Sequence, residues 1–387
     1  MKKWFLCGLI LCFFILSLNT EAQTWSPLKR LTWSSGASEC PHIAIDSSDV
    51  IHLVWEETQA LGTEEIYYKK SANGGTTWTA PVRLTWTSTS SMNPYIAVDS
   101  STVHVVWNEY LESTEYGNSE LMYKHSTDGG ATWSAPKRLT YSAGESFVHS
   151  LVVDSSNIVH VAYADSNPGN NEIFYKRSVD GGNTWSPPIR ITWNSGSSET
   201  PKMAVNSGCN IHLFWSNFIS SKSDIFYKHS TNNGSSWSTP KRLTWTANNT
   251  CRLSAAADSG NGLYIAWDEG PASNYEIYFK KSADGGLTWL PPKRMTWNPG
   301  LSWVPCVAAD GKTGIYVTWI DQPGGDFEIF FKGSADSGTN WSKLDRLTWS
   351  TGGSWNPVVA ADSNSTVHIV WSDGSPGNYE IFYKNRK

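Results

Sequence analysis

Two tryptophans and one arginine carry the most specific chemistry in this 387-residue chain. Trp303 and Trp355 offer indole faces, and Arg252 offers a guanidinium. An indole stacks on the C–H face of a pyranose while cations and amides, such as that of Asn356, take its hydroxyls. The set therefore reads as a saccharide platform, with Phe147 at the matching place elsewhere in the chain. The bland reading is that the same residues line a watery channel mouth. A second chemistry comes from carboxylates at Glu56, Glu57, Glu109, Asp165, Asp268, Glu269, Asp321 and Asp373. Two carboxyls at the right separation run glycoside hydrolysis. Spacing singles out no pair, so ligand binding leads and hydrolysis is the alternative.

A repeat positions these residues. Arg-Leu-Thr-Trp or a variant recurs at Arg30, Arg83, Arg138, Arg190, Arg242, Arg294 and Arg346, at intervals of 52 to 55 residues. That interval suits a four-stranded propeller blade. In one unit the strands read Pro41 to Asp46, Val50 to Trp55, Glu65 to Lys70 and Trp78 to Trp86. Pro81 fits the last because an outermost strand has a free edge. First strands begin at Pro41, Pro94, Val148, Pro201, Leu253, Pro305 and Pro357. The chain starts with a bare fourth strand at Trp25 and stops just after a seventh third strand. The expected fold is all-β: a seven-bladed propeller of four-stranded antiparallel blades over residues 23–387, closed by the N-terminal strand in blade seven.

The repeat also says which residues serve the blade. Trp25, Trp78, Trp133, Trp185, Trp237, Trp289 and Trp341 share one slot. Trp33, Trp86, Trp193, Trp245, Trp297 and Trp349 share another, and Trp55, Trp107, Trp215, Trp267, Trp319 and Trp371 a third. All three sets are expected to pack blade on blade. His52, His104, His160, His212 and His368 occupy one slot in different blades, so they cannot converge on one ion. An acidic residue stands eighteen positions before the repeat arginine, as in Glu65 with Arg83 and Glu120 with Arg138. Folding each hairpin about its turn predicts a cross-strand ion pair in six blades. Arg30 and Glu380 are left over and should meet at the closure. The slots just before the first strand behave differently: Glu39, Met92, Phe147, Glu199, Cys251, Trp303 and Trp355, then Cys40, Asn93, Val148, Thr200, Arg252, Val304 and Asn356. These vary between blades, which leaves them free to serve a ligand.

Each hairpin turn carries Ser-x-Asp-x-Gly-x-Thr-Trp or a near copy, starting at Ser71, Ser126, Ser178, Ser230, Ser282 and Ser334. This resembles the Asp-box, or BNR repeat, of the sialidase superfamily of β-propellers. The resemblance implies a propeller whose ligand face lies opposite the Asp-boxes. Sialidase catalysis in that family uses an arginine triad, a Tyr–Glu nucleophile pair and an acid Asp. The Phe-Arg-Ile-Pro-like motif of the first arginine is absent from this sequence. Of Arg177, Arg252 and Arg386, only Arg252 is expected near the ligand face, and the family's propeller has six blades. Sialoside cleavage is therefore not expected.

Residues 1–22 read as an export signal: a basic start at Lys2 and Lys3, an apolar run from Trp4 to Leu18, and Thr20-Glu21-Ala22 before the cut. The expected location is outside the cytoplasm, secreted or periplasmic, with no membrane span in the mature form. A net charge of −5 without a basic block argues against nucleic acid as a partner. A glycan or another extracellular polymer fits better, and no cofactor or metal is implied. Cys40, Cys209, Cys251 and Cys306 match no zinc spacing. A Cys251–Cys306 disulfide and free, half-buried thiols are both open.

Overall fold

The computed structural model describes residues 24–60, 62–111, 118–219, 222–271 and 273–387. The proposed export signal lies outside the described residues. Seven four-stranded antiparallel sheets follow one another around an axis. In blade one the strands are Ser38–Ile45, Ile51–Thr58, Glu64–Ser71 and Val82–Arg83. First strands of successive blades touch, and the last touches the first, so the ring is closed. The seventh sheet takes its outer strand from the other end of the chain: Lys29 and Arg30 pair with Tyr383 and Phe382.

Second strands are buried on both faces because each blade is sandwiched between two others. Ile51, Leu53, Val54 and Trp55 are all fully buried. Fourth strands are far shorter than the sequence suggests, two residues instead of nine in blade one. Side chains take over the ladder there. Pro81 lacks an N–H, and the Ile66 N–H donates to the Thr85 hydroxyl at 2.9 Å in place of a backbone carbonyl.

The Asp-box turns stitch neighbouring blades. The Ser126 hydroxyl accepts the Gly130 N–H at 2.8 Å, and the Asp128 carboxylate accepts the Thr132 N–H and hydroxyl. Those donors hold the Asp128 carboxyl well below the usual carboxylate range. Gly130 sits at φ +86° directly against the ring of Tyr68 from the preceding blade, where a Cβ would collide. The Tyr68 hydroxyl reaches the Gly129 carbonyl at 3.2 Å, and Trp133 meets the Tyr68 ring edge-on at 5.0 Å. The slot histidines belong to this network: His52 Nδ1 lies 2.8 Å from the Tyr68 hydroxyl and His104 Nδ1 2.7 Å from that of Tyr123.

All seven acid–arginine pairs form, including Arg30 with Glu380 at 2.7 Å across the closure. Two features differ from expectation. Arg83 stands opposite Tyr67, not Glu65, so the pair is diagonal by two residues, which keeps both side chains on one face. The glutamates are also buried, where an isolated hairpin would leave them in water: Glu65, Glu120, Glu172 and Glu380 show no accessible surface. Glu65 also accepts the Thr87 N–H at 2.8 Å.

One tryptophan set departs from blade packing. Those that follow the Asp-box do pack between blades, and those that end second strands are buried. Those that end the Arg-Leu-Thr-Trp motif are exposed, with Tyr141 completing the set at 66% to 77% accessible surface. Trp86 stands largely in water at the seam, with Lys124 of the next blade 5.4 Å from its ring. The four cysteines are free, so Cys251 and Cys306 are not bridged.

Candidate functional site

On the face opposite the Asp-boxes, every first strand begins with a β-bulge: the register slips between Glu39 and His42, Met92 and Tyr95, Phe147 and His149, Glu199 and Lys202, Thr250 and Leu253, Trp303 and Cys306, and Trp355 and Val358. In five blades the bulge holds an L-residue at positive φ: Cys40, Asn93, Thr200, Val304 and Asn356, between 47° and 53°. For a β-branched valine or threonine this is a sparsely populated conformation. Bulges and such strain gather where a backbone must aim side chains. Here they aim them at the axis, around a cavity of about 450 Å³.

The rim of that cavity is the variable slot: Cys40, Asn93, Thr200, Arg252, Val304 and Asn356. Its wall is a second ring that sequence reading missed, formed by His42, Tyr95, Ser150, Lys202, Ser254, Cys306 and Val358. Each lies two positions further along its strand and also varies between blades, so the test applied to the rim would have found it. His42 packs on Tyr95 at 4.3 Å, and Tyr95 meets His149 edge-on at 5.0 Å. Lys202 sits 4.5 Å over the Tyr95 ring and donates to its hydroxyl. Burial, with Lys202 nearby, pushes His42 and His149 down to about 3, so both are neutral at ordinary pH. Lys202 and Arg252 are the cations of the lining, which contains no carboxylate among the described residues.

Beside Arg252 lies an aromatic shelf. The Arg252 guanidinium covers one side of Trp303 at 4.4 Å. Phe327 lies parallel to Trp303 at 6.2 Å and contacts Trp355 at 4.4 Å, with Tyr275 5.9 Å from Trp303. Trp303 Nε1 is buried without a hydrogen-bond partner among the described residues. Trp303 and Trp355 are therefore brought together, through Phe327, but outside the cavity lining. Phe327 and Tyr275 also escaped sequence reading. Their signal was an aromatic residue just before the third-strand acid, at Tyr275, Phe327 and Tyr379 in successive blades.

The remaining candidates are structural in their contacts. Phe147 is half-buried in the packing between blades three and four. Asn356 reaches the Cys40 sulfur at 3.6 Å across the closure. Asp268 is buried and accepts the backbone N–H of Arg252 at 3.0 Å and of Val304 at 3.3 Å, so it braces the bulges of two blades. Its burial raises it to about 6. Asp321 accepts from Asn298 and from Trp319 Nε1. Asp373 accepts from Ser350, Ser354 and Trp371 Nε1. Glu57, Glu109 and Glu269 accept the indole N–H of Trp55, Trp107 and Trp267, and Asp165 accepts from Ser142 and Ser146. Glu56 differs. It accepts the Asn93 N–H at 2.6 Å, stands opposite Glu39 in register, and is pushed by burial to about 7. Of the other arginines, Arg177 donates to the Asn233 carbonyl on the Asp-box side and Arg386 pairs with Asp345 at 2.7 Å on the outer edge.

A family described as BNR repeat-like domain matches residues 49–249, just over half of the chain. No curated protein sequence matches significantly. Among solved structures, a lectin from Burkholderia pseudomallei is similar at TM-score 0.63 and 12% identity, over 89% of this chain and 98% of its own. A protein of unknown function from Dyadobacter fermentans is similar at TM-score 0.58 and 12% identity, over 93% and 99%. A Hadza microbial sialidase is similar at TM-score 0.55 and 17% identity, over 91% of this chain and 66% of the sialidase. At these identities the likenesses concern the fold.

Proposed function

We propose that this chain, a member of the BNR repeat-like domain family, is an exported, non-catalytic glycan-binding propeller whose site is the axial cavity and the shelf beside it. One observation carries the reading. Beside the rim of the cavity the Arg252 guanidinium and the Phe327 ring flank Trp303, whose buried indole N–H has no hydrogen-bond partner among the described residues. A buried unsatisfied donor costs about 1–3 kcal/mol, which a ligand acceptor would recover. Arg252 supplies further donors and Lys202 a cation deeper in, while Trp355 adds a second indole to the shelf against Phe327. The likeness to a lectin of similar length is consistent with this use of the fold. Trp303→Ala and Arg252→Ala are each expected to weaken binding of an array-identified glycan by about 1 kcal/mol or more, near fivefold. Trp355→Ala should act in the same direction, and unfolding midpoints should stay near that of the parent. Isothermal titration measures this, and parental affinity in all three variants contradicts the site.

One observation favours the second reading, glycoside hydrolysis. Glu56 is a carboxyl with a value near 7, cross-strand from Glu39, beside the rim residues Cys40 and Asn93. A raised carboxyl is what a general acid requires, and Glu39, opposite in register, is the available second carboxyl. If this reading holds, a bound glycan is cleaved and Glu56→Gln slows cleavage by at least about a hundredfold. Intact glycan after prolonged incubation with the parent protein removes it.

A further inference from the structure

The exposed aromatic that ends each Arg-Leu-Thr-Trp motif is held in a repeated setting. The arginine of the same motif lies beside it, its guanidinium carbon 5.8 Å from the ring of Trp86, 5.7 Å from those of Trp193, Trp245 and Trp297, and 4.5 Å from that of Tyr141. On the same four tryptophans a lysine of the next blade approaches to between 5.4 and 6.0 Å. That lysine is itself fixed. Lys124 Nζ donates to the Leu84 carbonyl at 2.6 Å and Lys280 Nζ to that of Leu243 at 2.6 Å, across the blade seam. Arg83 spends Nε on the Thr85 carbonyl and Nη2 on Glu65, while its Nη1 has no protein partner among the described residues. The other three residues of the motif are thus consumed by the fold: the arginine in its ion pair, Leu84 and Thr85 by burial. The aromatic is not, since about two-thirds of its surface is in water.

We propose that these aromatics form a second, multivalent site: one sugar-stacking position at each blade seam, taking successive residues or branches of a polysaccharide. Three features select that class of ligand. Each position is a single ring bracketed by charge, which is the footprint of one pyranose and not of a continuous apolar patch. The charged groups that lie on the ring, an arginine and on four tryptophans a lysine, are donors, matching a partner that offers acceptor oxygens, as sugar hydroxyls and uronate carboxylates do. The positions repeat with the blades, so a polymer with its own repeat meets several at once, and weak contacts sum to avidity. Tyr141, which ends the second blade, shows that the slot accepts a tyrosine in place of tryptophan. This site is separate from the axial cavity, and its occupancy does not depend on what the cavity binds.

The test uses the whole protein against a panel of soluble polysaccharides, from acidic alginate to neutral xylan, by affinity electrophoresis. Trp86→Ala alone should change retardation by no more than a few-fold. Combining Trp86→Ala, Trp193→Ala, Trp245→Ala and Trp297→Ala should weaken it at least about tenfold, because avidity falls faster than the number of sites. Replacing the same four by tyrosine should restore most of it. Because these rings are exposed, the unfolding midpoint should hold in all variants. Preference for alginate over xylan assigns a role to the cations beside the rings, and equal binding assigns it to the rings alone. Parental retardation of the fourfold alanine variant overturns the inference. So does a parent protein that no polysaccharide retards, including one that binds only vesicles of anionic lipid.

Discussion

Deleting residues 24–33 is expected to abolish cooperative folding of the whole ring, although the segment contributes a strand of only two residues. It lies as the outer strand of blade seven, with the Leu31 N–H on the Ile381 carbonyl at 2.7 Å and the Ile381 N–H on the Thr32 hydroxyl at 2.8 Å. Leu31 is buried with Val370, Ile381 and Tyr383 between the last blade and the first. Trp25 meets Phe331 edge-on at 4.9 Å and donates to Asp345 at 3.2 Å, so the segment also clamps blade six. Its loss strands the buried Glu380 carboxylate, whose partner is Arg30. Breaking a buried pair costs about 3–5 kcal/mol and exposing a leucine site about 2–3 more. Together these are comparable to the 5–15 kcal/mol that holds a typical domain folded. Guanidinium unfolding followed by tryptophan fluorescence measures it. A truncated chain with the parental midpoint contradicts the closure.

The second large effect is expected at the ion pairs. Arg83→Met should destabilise the protein by about 3 kcal/mol or more, since it leaves the fully buried Glu65 without its guanidinium. Among the described residues Glu65 would keep only the Thr87 N–H. Adding Glu65→Gln should recover a large part of the loss, because the penalty belongs to the unpaired charge and not to the missing attraction. An exposed pair behaves otherwise, with about 0.2–1 kcal/mol at stake. Equal, small losses in both variants contradict the burial argument.

The sequence spoke most clearly where the blades repeat. Seven copies of one arginine motif, with a spare fourth strand at Trp25 and a spare third strand at Glu380, are enough to set blade number and closure. The eighteen-residue gap is enough to pair Glu65 with Arg83. It could not place them in register, because the Asp-box turn adds an irregularity that distance along the chain does not reveal. Burial of Glu65 was equally hidden, since it depends on the neighbouring blade and not on the hairpin. Repetition misled once. Trp86 recurs as faithfully as Trp55, yet one is exposed and the other buried, because recurrence reports equivalence of position and not depth. At the axis, variation between blades located the rim residues Arg252 and Asn356. It was not carried two positions further to Tyr95 and Lys202, which line the wall. The shelf residue Phe327 comes from a loop of another strand, a proximity that only the folded ring creates.

The central claim is that the axial cavity and its shelf hold a glycan without cutting it. The most direct measurement is a glycan array with the parent protein and Arg252→Ala side by side, followed by mass spectrometry of each bound glycan after prolonged incubation. The account predicts a small set of glycans bound by the parent, lost or much weakened in Arg252→Ala, and recovered intact. Glycans retained equally by the variant, or recovered as cleavage products, would contradict it.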